Sequence, residues 1–246
     1  MSPSPPELIA LTCSSCLLPL EVQQGAALFP CRQCGRAFEP SDEGLREVRP
    51  QTADTTTELT VPPYVRHLAV WSFAAEVRVT SKWSGSGAPP ESVWDQVRRS
   101  AEPAPARLFV PSFAIRRVLV QQLGVGLTLA QPDLVLRPGL PAEQVFPARP
   151  HAVADPNGDE RADDADPGPG FGTLSPVLLS EEDARTVAHF VYLAVEARGS
   201  TELKHIDYEL VLGPGELLFL PALYDPHYVR DSNWRFLLRE FDSLVA

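Results

Sequence analysis

The residues with the most chemistry to offer lie near the N-terminus. All four cysteines fall in one stretch, as Cys13-Ser14-Ser15-Cys16 and Cys31-Arg32-Gln33-Cys34, with residues 17–30 between the pairs. Each Cys-x-x-Cys turn presents two soft ligands from one tight loop, and two such turns close a tetrahedral shell around a metal ion. Four thiolates leave no open coordination position, so a site of this kind is structural and not catalytic. Zinc is the expected ion. The alternatives are iron on the same ligands, a redox dithiol pair, or four free thiols. The sequence opens Met-Ser-Pro-Ser-Pro-Pro, without a basic leader or a long apolar run. A reducing cytoplasm is therefore the expected compartment, where paired cysteines read as metal ligands rather than disulfides.

Short extended segments must bring the two turns together. Residues 8–12 are expected to lead into the first turn, and residues 17–22 to run away from it. Gln23-Gln24-Gly25 reverses the chain, and residues 27–30 return as a strand into the second turn. Gly35 suits the bend after Cys34, because glycine accepts positive φ. Ala37-Phe38-Glu39 follows as a third strand, with Phe38 covering the site on one side.

This pattern resembles the zinc-ribbon superfamily, with its rubredoxin-like paired knuckles. The likeness is greatest at Cys31-x-x-Cys34-Gly35-Arg36-x-Phe38. It covers residues 8–40 and implies one structural zinc ion per chain, held by Cys13, Cys16, Cys31 and Cys34. The first knuckle departs from the pattern, since Leu17 stands where glycine often follows the second cysteine. A module this small buries too little apolar surface to fold alone, and the metal supplies the missing stability.

The expected organisation of the 246 residues is a zinc ribbon over 1–40, a turn-rich linker over 41–63, and an α+β domain over 64–246. In that domain, residues 67–79 read as a long strand whose latter part alternates. Residues 90–99 read as a short helix with acids early and arginines late. Residues 112–123 read as a helix capped by Ser112, and 127–130 as a separate apolar piece. Residues 131–176 read as a disordered acidic loop, containing a run from Asp155 to Asp166 that superficially resembles a calcium loop. Ser180-Glu181-Glu182-Asp183 is a capping box that opens the clearest helix, which ends near Arg198. On that helix Arg185, His189, Tyr192 and Glu196 form a stripe expected to face solvent. Residues 206–212 and 216–221, joined by Gly213-Pro214-Gly215, read as a hairpin. Residues 224–230 and 234–238 read as another, with Tyr228 facing Trp234. The runs Leu108-Phe109-Val110-Pro111 and Leu218-Phe219-Leu220-Pro221 echo one another and suggest an internal duplication.

Function is less legible. The net charge of −11 and a pI near 4.9 disfavour nucleic-acid binding, which draws most of its affinity from basic residues on phosphates. Only residues 51–130 are even slightly basic, and Arg98-Arg99 and Arg116-Arg117 read as solvated helix faces. The histidines at 67, 151, 189, 205 and 227 are scattered, and no nucleophile elbow, P-loop, His-Glu-x-x-His pair or dinucleotide fingerprint is present. No residue is therefore assigned a catalytic role. The expectation is a zinc-binding interaction or scaffold protein that docks a protein partner and has no membrane span. A nucleic-acid-associated ribbon factor, and an enzyme with an unrecognised site in 64–246, are the other two readings.

Overall fold

The computed structural model describes residues 11–20, 25–31, 33–54, 65–84, 92–115, 117–141, 176–198, 203–224, 234–236 and 238. In chain order the elements are β1 (Phe29–Pro30), β2 (Ala37–Ser41), β3 (Gly44–Val48), β4 (Gln51–Ala53), β5 (Val65–Ser84), α1 (Val93–Ala101), β6 (Arg107–Pro111), α2 (Arg117–Ala130), β7 (Leu136–Pro138), α3 (Glu181–Arg198), β8 (Leu203–Tyr224) and β9 (Trp234–Phe236). Among the described residues, two sheets and three helices make an α+β architecture. The small antiparallel sheet runs β1-β2-β3. The larger runs β6-β5-β8-β4-β7, with β9 also on β8, and β4 is parallel to β8.

The antiparallel pairing of β5 with β8 is the spine of the molecule, and it has two regimes. Residues 68–71 form a continuous apolar run, taken up again by Phe73 after the buried Ser72, because both faces of the sheet are covered there. Ala69, Trp71 and Phe73 pack against Ala184, Ala188 and Val191 of α3. Leu68 and Val70 pack on the other side, in the cluster of Phe113, Leu123 and Leu127. Ala75 still donates its N–H to the Ala106 carbonyl, and from Glu76 onward β5 pairs only with β8 among the described residues, as a two-stranded ribbon. Its sequence alternates there because only one face, with Val77, Ile206, Tyr208 and Leu210, meets the core.

Gly213-Pro214-Gly215 does not turn the chain. The expected hairpin is instead one uninterrupted strand, β8, because Phe73 pairs with Gly215 and Ala75 with Leu212. Gly213 and Pro214 thus both oppose Ala74, as a bulge at which sheet passes into ribbon. A bulge explains how proline sits within this strand without breaking its pairing with β5. Helix α3 supplies the missing partners. Arg185 donates to the carbonyls of Leu212 at 3.2 Å and Gly213 at 2.8 Å, and Glu181 accepts the Gly215 N–H at 3.0 Å. The second expected hairpin is real in part: β9 pairs with the end of β8, with Trp234 opposite Tyr224, while Tyr228 lies outside the described residues.

The two Leu-Phe-x-Pro runs flank the same part of β5, one in β6 and one in β8. They differ in register, since Val70 faces Pro111 on one side and Leu218 on the other. Both runs are buried at the centre of the sheet. Helix α2 extends to Ala130 and absorbs the separate piece expected at 127–130. Ser112 does not cap it; its hydroxyl accepts the Leu179 N–H at 2.8 Å. The outward groups of β6 are taken by α2 and the residue after it. Thr128 accepts the Phe109 N–H, and the Gln131 amide both accepts from and donates to the Arg107 backbone. Gly124 permits this approach, since a Cβ there would lie 2.8 Å from the Phe109 carbonyl oxygen.

Contacts cross the boundary expected at residue 40. Leu28, Ala37 and Val48 belong to the same buried cluster as Trp71 and α3, and the Ala27 N–H donates to the Val177 carbonyl. The stretch expected as a linker carries β3, which pairs with β2, and β4, which lies between β8 and β7. The expected acidic loop contains β7; its calcium-like run at 155–166 lies outside the described residues. No helix among the described residues is long and apolar enough to cross a membrane.

The bulge makes a firm expectation. A Cβ at Gly215 would meet Glu181 Cγ at 2.7 Å and Phe73 Cε1 at 2.8 Å. Gly215→Ala is expected to cost about 2 kcal/mol through overpacking, read as a lower urea midpoint at unchanged slope.

Candidate metal centre

The four cysteine sulfurs lie within 4.8 Å of one another. Cys13 and Cys34 are 3.5 Å apart, and Cys16 and Cys31 are 3.4 Å apart. A tetrahedral shell with metal–sulfur bonds of about 2.3 Å has sulfur–sulfur edges of about 3.8 Å, so the cluster has the size of such a shell. A disulfide needs about 2.05 Å, and these four are free thiols. The set can hold a metal ion, as its spacing in the sequence leads one to expect.

The two knuckles share one backbone plan. The Cys13 N–H donates to the Leu18 carbonyl and the Cys31 N–H to Arg36; the Leu17 N–H donates to Cys13 and the Gly35 N–H to Cys31. Both turns need a residue at positive φ. Gly35 takes it at 71° and Leu17 at 60°. The missing glycine therefore leaves the geometry intact, and the strain falls on a leucine whose side chain is 76% exposed. The Ser15 N–H points at Cys13 Sγ from 3.4 Å. Phe38, with Leu20 and Phe29, packs with Cys13 and Cys31, as expected for the residue covering the site.

Electrostatics favour a cation in the middle. Burial opposes ionisation of Cys13, but hydrogen bonds from the backbone of Cys16 and Ser15, and from the neighbouring thiols, draw it down to about 6. At Cys16 a backbone hydrogen bond at Leu18 favours the thiolate, yet burial and the neighbouring cysteines push the group up to about 12. The cluster thus accepts one negative charge readily and resists the next. A divalent ion removes that resistance.

Two groups of charged residues were not legible in the sequence. Behind the knuckles, Glu39 is buried, accepts the Glu181 N–H at 2.8 Å, and is paired with Arg46. The second group centres on Glu196, which is fully buried. Its carboxylate accepts from Lys82 at 2.7 Å, Ser92 at 2.7 Å and the Trp94 N–H at 3.0 Å. It thereby ties α3 to the ribbon and to the start of α1, where Ser92 is the N-cap. The expected solvent-facing stripe on α3 is corrected here. His189 is exposed and touches the Tyr208 hydroxyl at 3.3 Å, but Tyr192 and Glu196 are buried beneath the ribbon. The stripe is therefore divided: His189 lies at the surface, and Tyr192 and Glu196 turn inward. One signal was available: Lys82 and Lys204 are the lysines of an otherwise arginine-based chain, and a compact ammonium suits a confined site.

Burial works against the charge on Glu196, and the bonds from Lys82, Ser92 and Trp94 outweigh it, holding the carboxyl below its ordinary value. A depressed carboxylate stabilises the fold above its unfolded value and loses that contribution as pH falls. Glu196→Ala is expected to cost about 3 to 5 kcal/mol near neutrality, because it removes the buried carboxylate that Lys82, Ser92 and the Trp94 N–H all donate to. The penalty shrinks as pH falls below the ordinary carboxylate range and the buried carboxyl of the parent protein takes up its proton, and urea unfolding of both proteins from neutral to acid pH measures it. Leu17→Gly is expected to raise stability by about 1 kcal/mol by relieving the positive φ; an unchanged or lower melting temperature in the metal-loaded protein would count against strain at that residue. Comparison with protein-family models, curated proteins and solved structures finds no match to this chain.

Proposed function

We propose that the chain is a metal-dependent protein-interaction or scaffold protein, with a structural zinc ion in a zinc-ribbon arrangement on Cys13, Cys16, Cys31 and Cys34. A reducing compartment such as the cytoplasm suits its free thiols. The observation that carries the interaction reading is the first knuckle. Leu17 and Leu18 are among the exposed large apolar side chains, and Pro19 beside them is exposed too. Leu17 holds a strained backbone conformation that glycine would take without cost. An apolar side chain kept outward at the expense of stability fits a contact surface better than a fold requirement. The partner's matching surface is an apolar groove into which the Leu17-Leu18 tip inserts.

The arginines of the knuckle region support a protein partner over a nucleic acid. Arg36 is paired with Glu47 at 2.9 Å, Arg49 with the same carboxylate at 3.1 Å, and Arg46 with Glu39 and Glu181. Side chains neutralised by neighbouring acids have little charge to offer phosphates. Arg32 lies outside the described residues.

The test uses point variants and not a deletion, because removing residues 1–40 would uncover Leu28 and Ala37 in the main core. Elemental analysis of the purified chain is expected to give about one zinc per chain. Leu17→Ser/Leu18→Ser is expected to keep the metal and the melting temperature while losing at least about tenfold in partner affinity, as befits removal of a central apolar anchor. Captured partners that bind the variant as well as the parent overturn the knuckle as the docking surface.

A further inference from the structure

Phe38 and Glu39 are consecutive residues of β2, so they point to opposite sides. Phe38 lies against the cysteine cluster. Glu39 reaches the start of α3, where its Oε1 accepts the Glu181 N–H. Arg46, opposite Glu39 on β3, donates from Nε to Glu39 Oε2 at 3.1 Å and from its terminal nitrogen to Glu181 Oε2 at 2.9 Å. The other Glu181 oxygen accepts the Gly215 N–H and is held by Arg185 at 2.8 Å, and Arg185 grips the two bulge carbonyls. A continuous set of charge-assisted hydrogen bonds therefore leads from the back of the cysteine cluster to the point where β8 leaves the sheet. Such bonds are stronger than neutral ones and sensitive to small displacements of their partners.

We infer that metal occupancy at the knuckles is coupled, through Phe38, Glu39 and Glu181, to the bulge that sets the pose of the β5–β8 ribbon. The inference rests on reading the four cysteines as a metal site. With the ion bound, Phe38 is pressed between fixed walls, β2 is held in place, and Glu39 caps α3. Without it, the four cysteines are no longer tied to one centre, the wall they form against Phe38 loosens, and Glu39 loses its fixed position. The consequence reaches Glu181 and the Gly215 amide, neither of which touches a cysteine.

Residue-resolved amide hydrogen exchange on the full chain tests the coupling. Zinc content is measured first, and the loaded and chelated forms are then compared. The Glu181 and Gly215 amides, each bonded to a carboxylate, are expected to exchange about tenfold faster after chelation, while Val70 and Phe109 at the sheet centre keep their protection. Arg46→Ala removes a half-exposed side chain and no cysteine. It is expected to keep one zinc per chain yet show fast exchange at both amides in either form. Where chelation melts the whole chain, the fully loaded Phe38→Leu variant gives the reading: a selective rise at Glu181 and Gly215 supports the coupling, and a uniform rise or none overturns it. Equal rates at both amides in loaded and chelated parent protein also overturn it. A chain that takes up no zinc overturns the metal reading instead.

Discussion

The antiparallel pairing of β5 with β8 is the constraint on which the other elements depend. Strands of 20 and 22 residues are far longer than the usual five or six, and a two-stranded ribbon is marginal in water by itself. Its stability must come from what covers it. Helix α3 does so along both regimes, beside the sheet through Ala184, Ala188 and Val191 and beside the ribbon through Tyr192, Val195 and Glu196. The bulge at Gly213 and Pro214 is where one straight helix meets a strand pair that changes character. Its spare carbonyls and amide are matched to Arg185 and Glu181, one helical turn apart.

Among the described residues, buried charge is answered by backbone or by another charge. Glu39 caps a helix, Glu181 serves a bulge, and Glu196 meets an ammonium, a hydroxyl and an amide. Tyr192, a neutral group, is treated differently. Its hydroxyl is buried without a hydrogen-bond partner among the described residues, and its ring packs edge-on to Trp94 and at 4.6 Å from Tyr208. Burial first, and the neighbouring charge of Glu196 next, push that phenol well above its ordinary value. Packing of three aromatic rings offsets the cost of one unanswered hydroxyl.

Local signals in the sequence carried the parts that local physics decides. The cysteine spacing led to the cluster, Ser180 with Asp183 to the start of α3, and the change from a continuous to an alternating pattern near Ala75 to a strand whose surroundings change. Parts decided by distant partners were not legible. Gly213-Pro214-Gly215 reads as a turn in any short window, and only Phe73, Ala75 and α3 make it a bulge. Tyr192 and Glu196 read as a wet stripe, because nothing nearby in sequence announces Lys82 or Ser92. The polar run before residue 54 reads as linker, because β4 has its partners in Leu218, Phe219 and residues 136–138.

The way α2 lies against β6 has a consequence for the protein's behaviour in a crowded solution. An end strand ordinarily offers a ladder of donors and acceptors on which a stray chain can add itself. Here Thr128 and Gln131 already occupy that ladder, and Gly124 lets the helix sit too close for a newcomer to enter. On that side the sheet is closed to growth, and amyloid-type stacking would first have to peel away a fourteen-residue helix.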